Sequence, residues 1–390
     1  KRFEQGVSKD VIESQLANAA SYSFSLEAES PLRLNLYQLS DDRFIFQLVQ
    51  HHIASDAWSM TLLLDLIVEA YQQISNNIIA ENTLLSSLNN RIKPSYLDYA
   101  HWQNTAEITV QQSSSLNFWR QSLAGVPTVL ELPSDRQRLS KNEQQGDVVH
   151  VVVPKGLHQS LNKLAHDNKT SLFMLLLSVY GVLIHQHTKR QDMIIGADVA
   201  NREHHQTQDM LGFFVNLLPL RLQPKATLRF NDFLQQVKLH CLNSFDHQSV
   251  PFEQIVEAIN PERISGMHPL IQILFVMQNT PDTRLNESEL SISPIETKQH
   301  HAKFDCALFA NTDKRSGELL LNWVFNCQLF NRETIERLSQ SYFNLLEKIV
   351  NQPSAPINNL FANDRTQKKS IQSMATTTSP KRKASSLNKL

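Results

Sequence analysis

Between Ser171 and Ile184 the chain reads SLFMLLLSVYGVLI, its longest apolar run. A helix built from it has no polar face and must be enclosed. It falls short of the roughly 20 apolar residues that span a bilayer, so what encloses it is protein. The chain must fold around a core wide enough to surround a whole helix. With 390 residues, 41% hydrophobic and 19% charged, it has the material for two domains or one large bilobed unit.

Around that helix, strand-like and helix-like segments alternate. RFIFQLVQ (43–50) puts Phe44, Phe46 and Leu48 on one face, a period-two strand signal. SMTLLLDLIVEAYQQI (59–74) lines Leu62, Leu63, Leu66, Ile67 and Tyr71 along one side of a helix, with Ser55 or Asp56 as its cap. Helices are also predicted over 96–103, 113–125 (closed by Gly125), 155–168, 170–188, 227–248, 251–259 and 332–352. Strands are predicted over 148–154, 192–201, 213–223, 269–279, 304–313 and 318–330. The polar, aperiodic stretch 131–147 is the expected connection between two lobes. The pattern is α/β with long mixed strands rather than clean βαβ repeats. Residues 1–145 form the expected N-terminal lobe and 146–364 the C-terminal lobe. Residues 365–390 are a Ser/Thr/Lys-rich linker or tail, whose KRK cluster (381–383) reads as solvated rather than phosphate-binding.

Bulk properties exclude several functions. A net charge of −1 gives no basis for nucleic-acid binding, and no segment predicts a membrane span. Cys241, Cys306 and Cys327 are widely spaced and form no CxxC pair, so neither a zinc site nor a disulfide framework is expected. A reducing cytoplasm is the simplest setting. The opening KRFEQGVSKD has no apolar stretch or cleavage site, so it is no signal peptide. It lacks an initiator Met, as a piece of something longer would.

Chemistry enters at HHIASDAWSM (51–60), where His51, His52 and Asp56 form a His-His-x-x-x-Asp pattern. The pattern recurs at His204, His205 and Asp209, and again at His300, His301 and Asp305. Adjacent histidines on a strand point to opposite faces and do not readily share one metal ion. With no HExxH and no third histidine at helical spacing, no metal is expected. The same geometry lets one histidine face a cavity, where a ring that titrates near neutrality takes a proton from an amine or alcohol. The copy at 204 lies in a polar run and reads as an exposed loop. The copy at 300 precedes a strand and reads as structural. The copy at 51 sits at a strand-to-helix junction with apolar flanks, followed by Trp58 and Ser59, and is the catalytic candidate.

HHIASDAWSM resembles the HHxxxDGWS motif of the condensation domains of nonribosomal peptide synthetases, members of the chloramphenicol acetyltransferase-like superfamily. YLDYAHWQ (96–103) is similar to the family's YxDFAxWQ, and ELPSDRQR (131–138) to its LPxDRxR linker. GADVANR followed by MLGFFVNLLPLR resembles its VANR…IGxFVNxxxxR segment. HQSVPFEQIVEAINPERISGMHPLIQILFVMQN resembles its xQxxPFExLVexLxxxRxxxxxPLFQvxfxxQN segment. The motifs run in family order from residue 51 to about 280, and together they are highly specific.

The resemblance implies two chloramphenicol acetyltransferase-like lobes, a V-shaped pseudo-dimer with an active-site tunnel between them. It implies amide bond formation between a donor acyl or peptidyl thioester and an acceptor aminoacyl thioester. Both ride on phosphopantetheine arms of upstream and downstream peptidyl carrier proteins, beside an adenylation domain, and the domain itself binds no cofactor. His52 would remove a proton from the attacking amine or position it by hydrogen bonding, with His51 in support. Asp56 would complete the motif as a brace, salt-bridged to Arg202. Trp58 and Ser59 would shape the tunnel wall. Asn216 and Arg221 would support the lobe-crossing segment, and Pro251, Phe252 and Glu253 would pack a loop near the tunnel.

Two departures stand out. Ala57 replaces the family's glycine, which strains the backbone by roughly 1 kcal/mol if the position needs a positive φ and is harmless otherwise. Only 50 residues precede His51, and the family's SxAQxRxW-like and RHExLRTxF-like openings are not found, so the N-terminal lobe is expected to be incomplete. Other readings are an epimerisation domain, disfavoured by AWSM after the Asp, and a cyclisation domain, disfavoured by the intact histidine pair. A free-standing acyltransferase of the superfamily and a degenerate, partner-recruiting platform domain are the further alternatives.

Overall fold

The computed structural model describes residues 8–76, 83, 94–140, 144–278, 290, 292–293, 295 and 300–361. The tail expected at 365–390 lies outside the described residues. The N-terminal part comprises α1 (Lys9–Ala20), β1 (Leu32–Gln38), β2 (Phe44–Gln50), α2 (Ala57–Ser75), α3 (Tyr96–Gln103) and α4 (Ala106–Ser122). Then follow β3 (Gln145–Val153), α5 (Lys155–Asp167), α6 (Leu172–Thr188), β4 (Met193–Val199), β5 (Asn216–Leu222), α7 (Phe230–Phe245) and α8 (Phe252–Ile259). The chain closes with β6 (Ile273–Met277), β7 (His300–His301), β8 (Cys306–Thr312), β9 (Leu319–Asn326) and α9 (Arg332–Asn351).

The apolar run is α6, buried continuously from Met174 to His185. Ser171 caps it by accepting from Met174 N at 3.2 Å. It lies against one face of a mixed seven-stranded sheet of order β5-β4-β6-β8-β9-β3-β7, in which β4, β6 and β8 run parallel and the other pairs antiparallel. Tyr180, Trp323 and Tyr342 meet edge to face at its centre, and the Tyr342 hydroxyl donates to Leu176 O at 2.9 Å. Cys241 and Cys306 are free and buried here, and desolvation pushes both thiols up to about 12, so neither is reactive. Among the described residues no single helix is long and apolar enough to cross a membrane.

A second, two-stranded antiparallel sheet joins β1 and β2. Tyr37 and Ile45 bury against Leu16 of α1. The face carrying Phe44 and Phe46 is 51% and 44% exposed at those residues, so the core-facing side of this strand is that of Ile45.

The large core also takes in residues that precede β3. Trp119, Leu123, Val126, Leu130 and Leu132, all upstream of it, belong to the large core. Arg221 of β5 ties this region down: it grips Asp192 with both carboxylate oxygens (2.8 and 2.6 Å) and donates to Ser122 O and Ala124 O at the end of α4.

Candidate active site

The site is set by the way α2 starts. Asp56 is extended (φ −117°, ψ 178°) and caps the helix, its Oδ1 accepting from Ser59 N at 2.7 Å. Its other bonds reach across the chain. Oδ2 accepts from Phe214 N at 3.0 Å and Val215 N at 3.3 Å, and both oxygens accept from Arg202 Nη2 at 3.2 and 3.4 Å. The two side chains are only 5% and 2% exposed. Every oxygen of Asp56 is committed to backbone or guanidinium donors, and no hydrogen bond joins it to either histidine of the motif.

Ser59 extends the brace, accepting from Arg202 Nη2 (2.7 Å) and Gly212 N (3.0 Å) and donating to Gly212 O (2.7 Å). Trp58 Nε1 donates to Gln208 O at 2.9 Å. Arg202 donates to Thr207 O and Met210 O, and its guanidinium stacks 4.1 Å over the Phe214 ring. The YLDYAHWQ motif lands on the same loop: the Tyr96 hydroxyl donates to Phe213 O at 2.8 Å. A Cβ at position 212 would stand 2.1 Å from the Tyr96 ring, so only glycine fits there. Two segments far apart in sequence, 56–59 and Tyr96, thus converge on residues 202–216.

The histidines are not on the strand. β2 ends at Gln50, His51 caps a short 3₁₀ turn and His52 begins it. Their rings still diverge. His51 meets Phe24 edge to face and His52 meets Phe213, with centroids 6.1 and 5.0 Å apart. Their tautomers diverge too. His52 Nδ1 lies 2.9 Å from Ser55 O, and a carbonyl only accepts, so this nitrogen carries the proton and the neutral ring presents Nε2 as a base. His51 Nδ1 accepts from Ile53 N at 3.1 Å, so in its neutral form the proton sits on Nε2.

His52 opens onto a cleft of about 640 Å³, lined also by Tyr96, Tyr99, Phe213, Asn216, Pro251, Phe252 and Glu253. Asn216 clips the 248–252 turn to the start of β5. Its amide donates to Gln248 O (2.8 Å) and Val250 O (2.7 Å), and its oxygen accepts from Phe252 N (3.1 Å). Phe252 stacks on His268, whose imidazole is held below its usual pKa by burial.

Of the expected site residues, His52, Asn216, Pro251, Phe252 and Glu253 line this cleft, whereas His51, Asp56, Ala57, Trp58, Ser59 and Arg202 do not. Trp58 and Ser59 anchor α2 to Arg202 and the 207–214 loop. Ala57 is the first residue of α2 and is not among the positive-φ residues, so its methyl group carries no backbone strain. Ala57→Gly is expected to leave the rate of turnover unchanged and to lower stability by at most about 1 kcal/mol, read from parallel activity and melting measurements.

The other two copies of the pattern resolve differently. His204, His205 and Asp209 are exposed. His301 of the third copy pairs with Gln145 on β3 and lines the cleft. Its Asp305 is a second brace, bound by Arg138 at 2.9 and 2.5 Å. Asp198 and Lys303 in the cleft were not singled out by the sequence. The one acid in the apolar strand MIIGADV is the available signal for Asp198. Among the described residues, no group of three or more His, Cys, Asp or Glu is placed to hold a metal ion.

The condensation domain family matches residues 3–372. Tyrocidine synthase 3 of Brevibacillus parabrevis is 34% identical over 86% of this chain, which spans 5% of that protein. A dimodular nonribosomal peptide synthase of Bacillus subtilis (strain 168) is 33% identical over 91% of the chain, which spans 15% of it. The crystal structure of holo-AB3403, a four-domain nonribosomal peptide synthetase bound to AMP and glycine, aligns with 94% of this chain and 28% of its own at a TM-score of 0.77 and 22% identity. The fold is the chloramphenicol acetyltransferase-like one of condensation domains, a class of acyltransferases that form amide bonds. The chain belongs to the condensation domain family of nonribosomal peptide synthetases.

Proposed function

We propose that this chain joins a donor acyl or peptidyl thioester to the amine of an acceptor aminoacyl thioester, each tethered by phosphopantetheine to a carrier protein. The observation that carries this reading is His52, with Nδ1–H held by Ser55 O and its ring on the cleft. In the reaction the amine nitrogen attacks the thioester carbonyl, a C–N bond forms and the C–S bond breaks. The proton leaving nitrogen passes to His52 Nε2 and then to the departing thiolate. Because the thioester is already activated, most of the acceleration comes from alignment, an effect worth about 7–11 kcal/mol at best. Tethering raises local concentration, so neither substrate needs high intrinsic affinity.

The working partners are an upstream and a downstream carrier protein beside an adenylation domain, in the cytoplasm. Residues 1–145 and 146–364 are the two lobes that hold the tethered substrates. The test is a single-turnover reaction with both carriers loaded. The expected product is the amide on the downstream carrier, seen by intact-protein mass spectrometry. Transfer to a free amine or alcohol but not to the loaded carrier would identify a free-standing acyltransferase. Carrier binding without product would identify a recruiting platform.

A further inference from the structure

The cleft floor is the face of the large sheet opposite α6. It is built from a lateral row of cross-strand neighbours: Leu217 pairs with Asp198, Leu274 with Ala307, and Ala307 with Val324. Leu217, Leu274, Phe304, Phe309 and Val324 pack together there as an apolar surface. Asp198 is the one acid among the strand residues of this floor. Burial raises its carboxyl to about 6, and among the described residues the charge that acts on it is Lys303, whose ammonium is lowered by its own desolvation. Among the described residues no hydrogen bond reaches the Asp198 carboxylate. Asp198 is partly exposed to the cleft, so its carboxylate is open to a cation that enters there. Its strand neighbour Leu217 lies four residues after Phe213, the ring against His52, at most about 14 Å of extended chain. A substrate filling the cleft from His52 therefore reaches it.

We propose that Asp198 is a specificity-determining residue for a substrate amino acid whose side chain carries an amine or guanidinium, seated on the sheet face in place of Lys303. Lys303 is exposed, and among the described residues no ion pair within 4 Å joins it to Asp198. Its ammonium is the nearby charge that a substrate cation would compete with. This inference rests on the condensation reading above.

The test compares lysyl with 2-aminoheptanoyl groups, which differ by an ammonium in place of a methyl. Each is loaded first on the acceptor carrier and then on the donor carrier, and single-turnover rates are expressed as the lysyl to 2-aminoheptanoyl ratio. Asp198→Asn is expected to lower that ratio at least tenfold in one of the two arms. Lys303→Met is expected to raise it severalfold in the same arm. A ratio that Asp198→Asn leaves unmoved in both arms overturns the inference. If that variant fails to fold, a ratio that Lys303→Met does not raise overturns it equally. A wild-type protein that turns over neither group on either carrier refutes the condensation reading instead, so the two failures are distinguishable.

Discussion

His52→Ala is expected to slow single-turnover amide formation by about 10²–10⁴-fold, the usual share of a positioned proton acceptor. The folded protein should barely notice. The side chain is exposed and makes a single hydrogen bond, to Ser55 O, worth about 0.5–1.5 kcal/mol. Melting curves of variant and wild type should therefore nearly coincide while rates diverge. His51→Ala is the internal control: its Nδ1 serves its own loop and its ring does not line the cleft, so its effect on rate should be the smaller one. Equal product from wild type and His52→Ala would sink the assignment and leave alignment as the whole of the catalysis.

Much of this site was legible in the sequence because the signals were local. α3 falls on the residues predicted for it, and α2 begins where a capping aspartate was available. The pairing of Asp56 with Arg202 crosses 146 positions, and no periodicity reveals it; only the order of family motifs pointed there. Direction is harder to read: a helix turns side chains by about 100° per residue, and this sends Trp58 and Ser59 to the 207–214 loop, a contact that no local pattern announces. β1 lies outside the predicted strands; Leu34 and Leu36, which alternate through it, are 56% and 55% exposed, and its core-facing residue is Tyr37. Lys303 enters the cleft through a two-residue strand that no propensity would assign.

Asp56 contrasts with His52, because its loss falls on stability rather than on rate. Asp56→Ala removes the partner of a guanidinium that is itself 2% exposed, leaving a buried charge uncompensated. Breaking a buried pair in this way is expected to destabilise the protein by about 3–5 kcal/mol, and the helix cap lost with it adds to the effect. Any loss of rate should follow from misplacement of the 51–56 loop and should shrink as temperature is lowered toward conditions where the fold is intact. Arg202→Leu should destabilise comparably, because Asp56 is then left among apolar neighbours with backbone donors only. The double variant should be no worse than the more damaging single one, since removing both charges together leaves neither unpaired. Urea midpoints of the four proteins measure this directly. Strictly additive losses would show that Asp56 and Arg202 act independently, and an Asp56→Ala protein of wild-type stability but greatly reduced rate would move Asp56 from the brace into the chemistry.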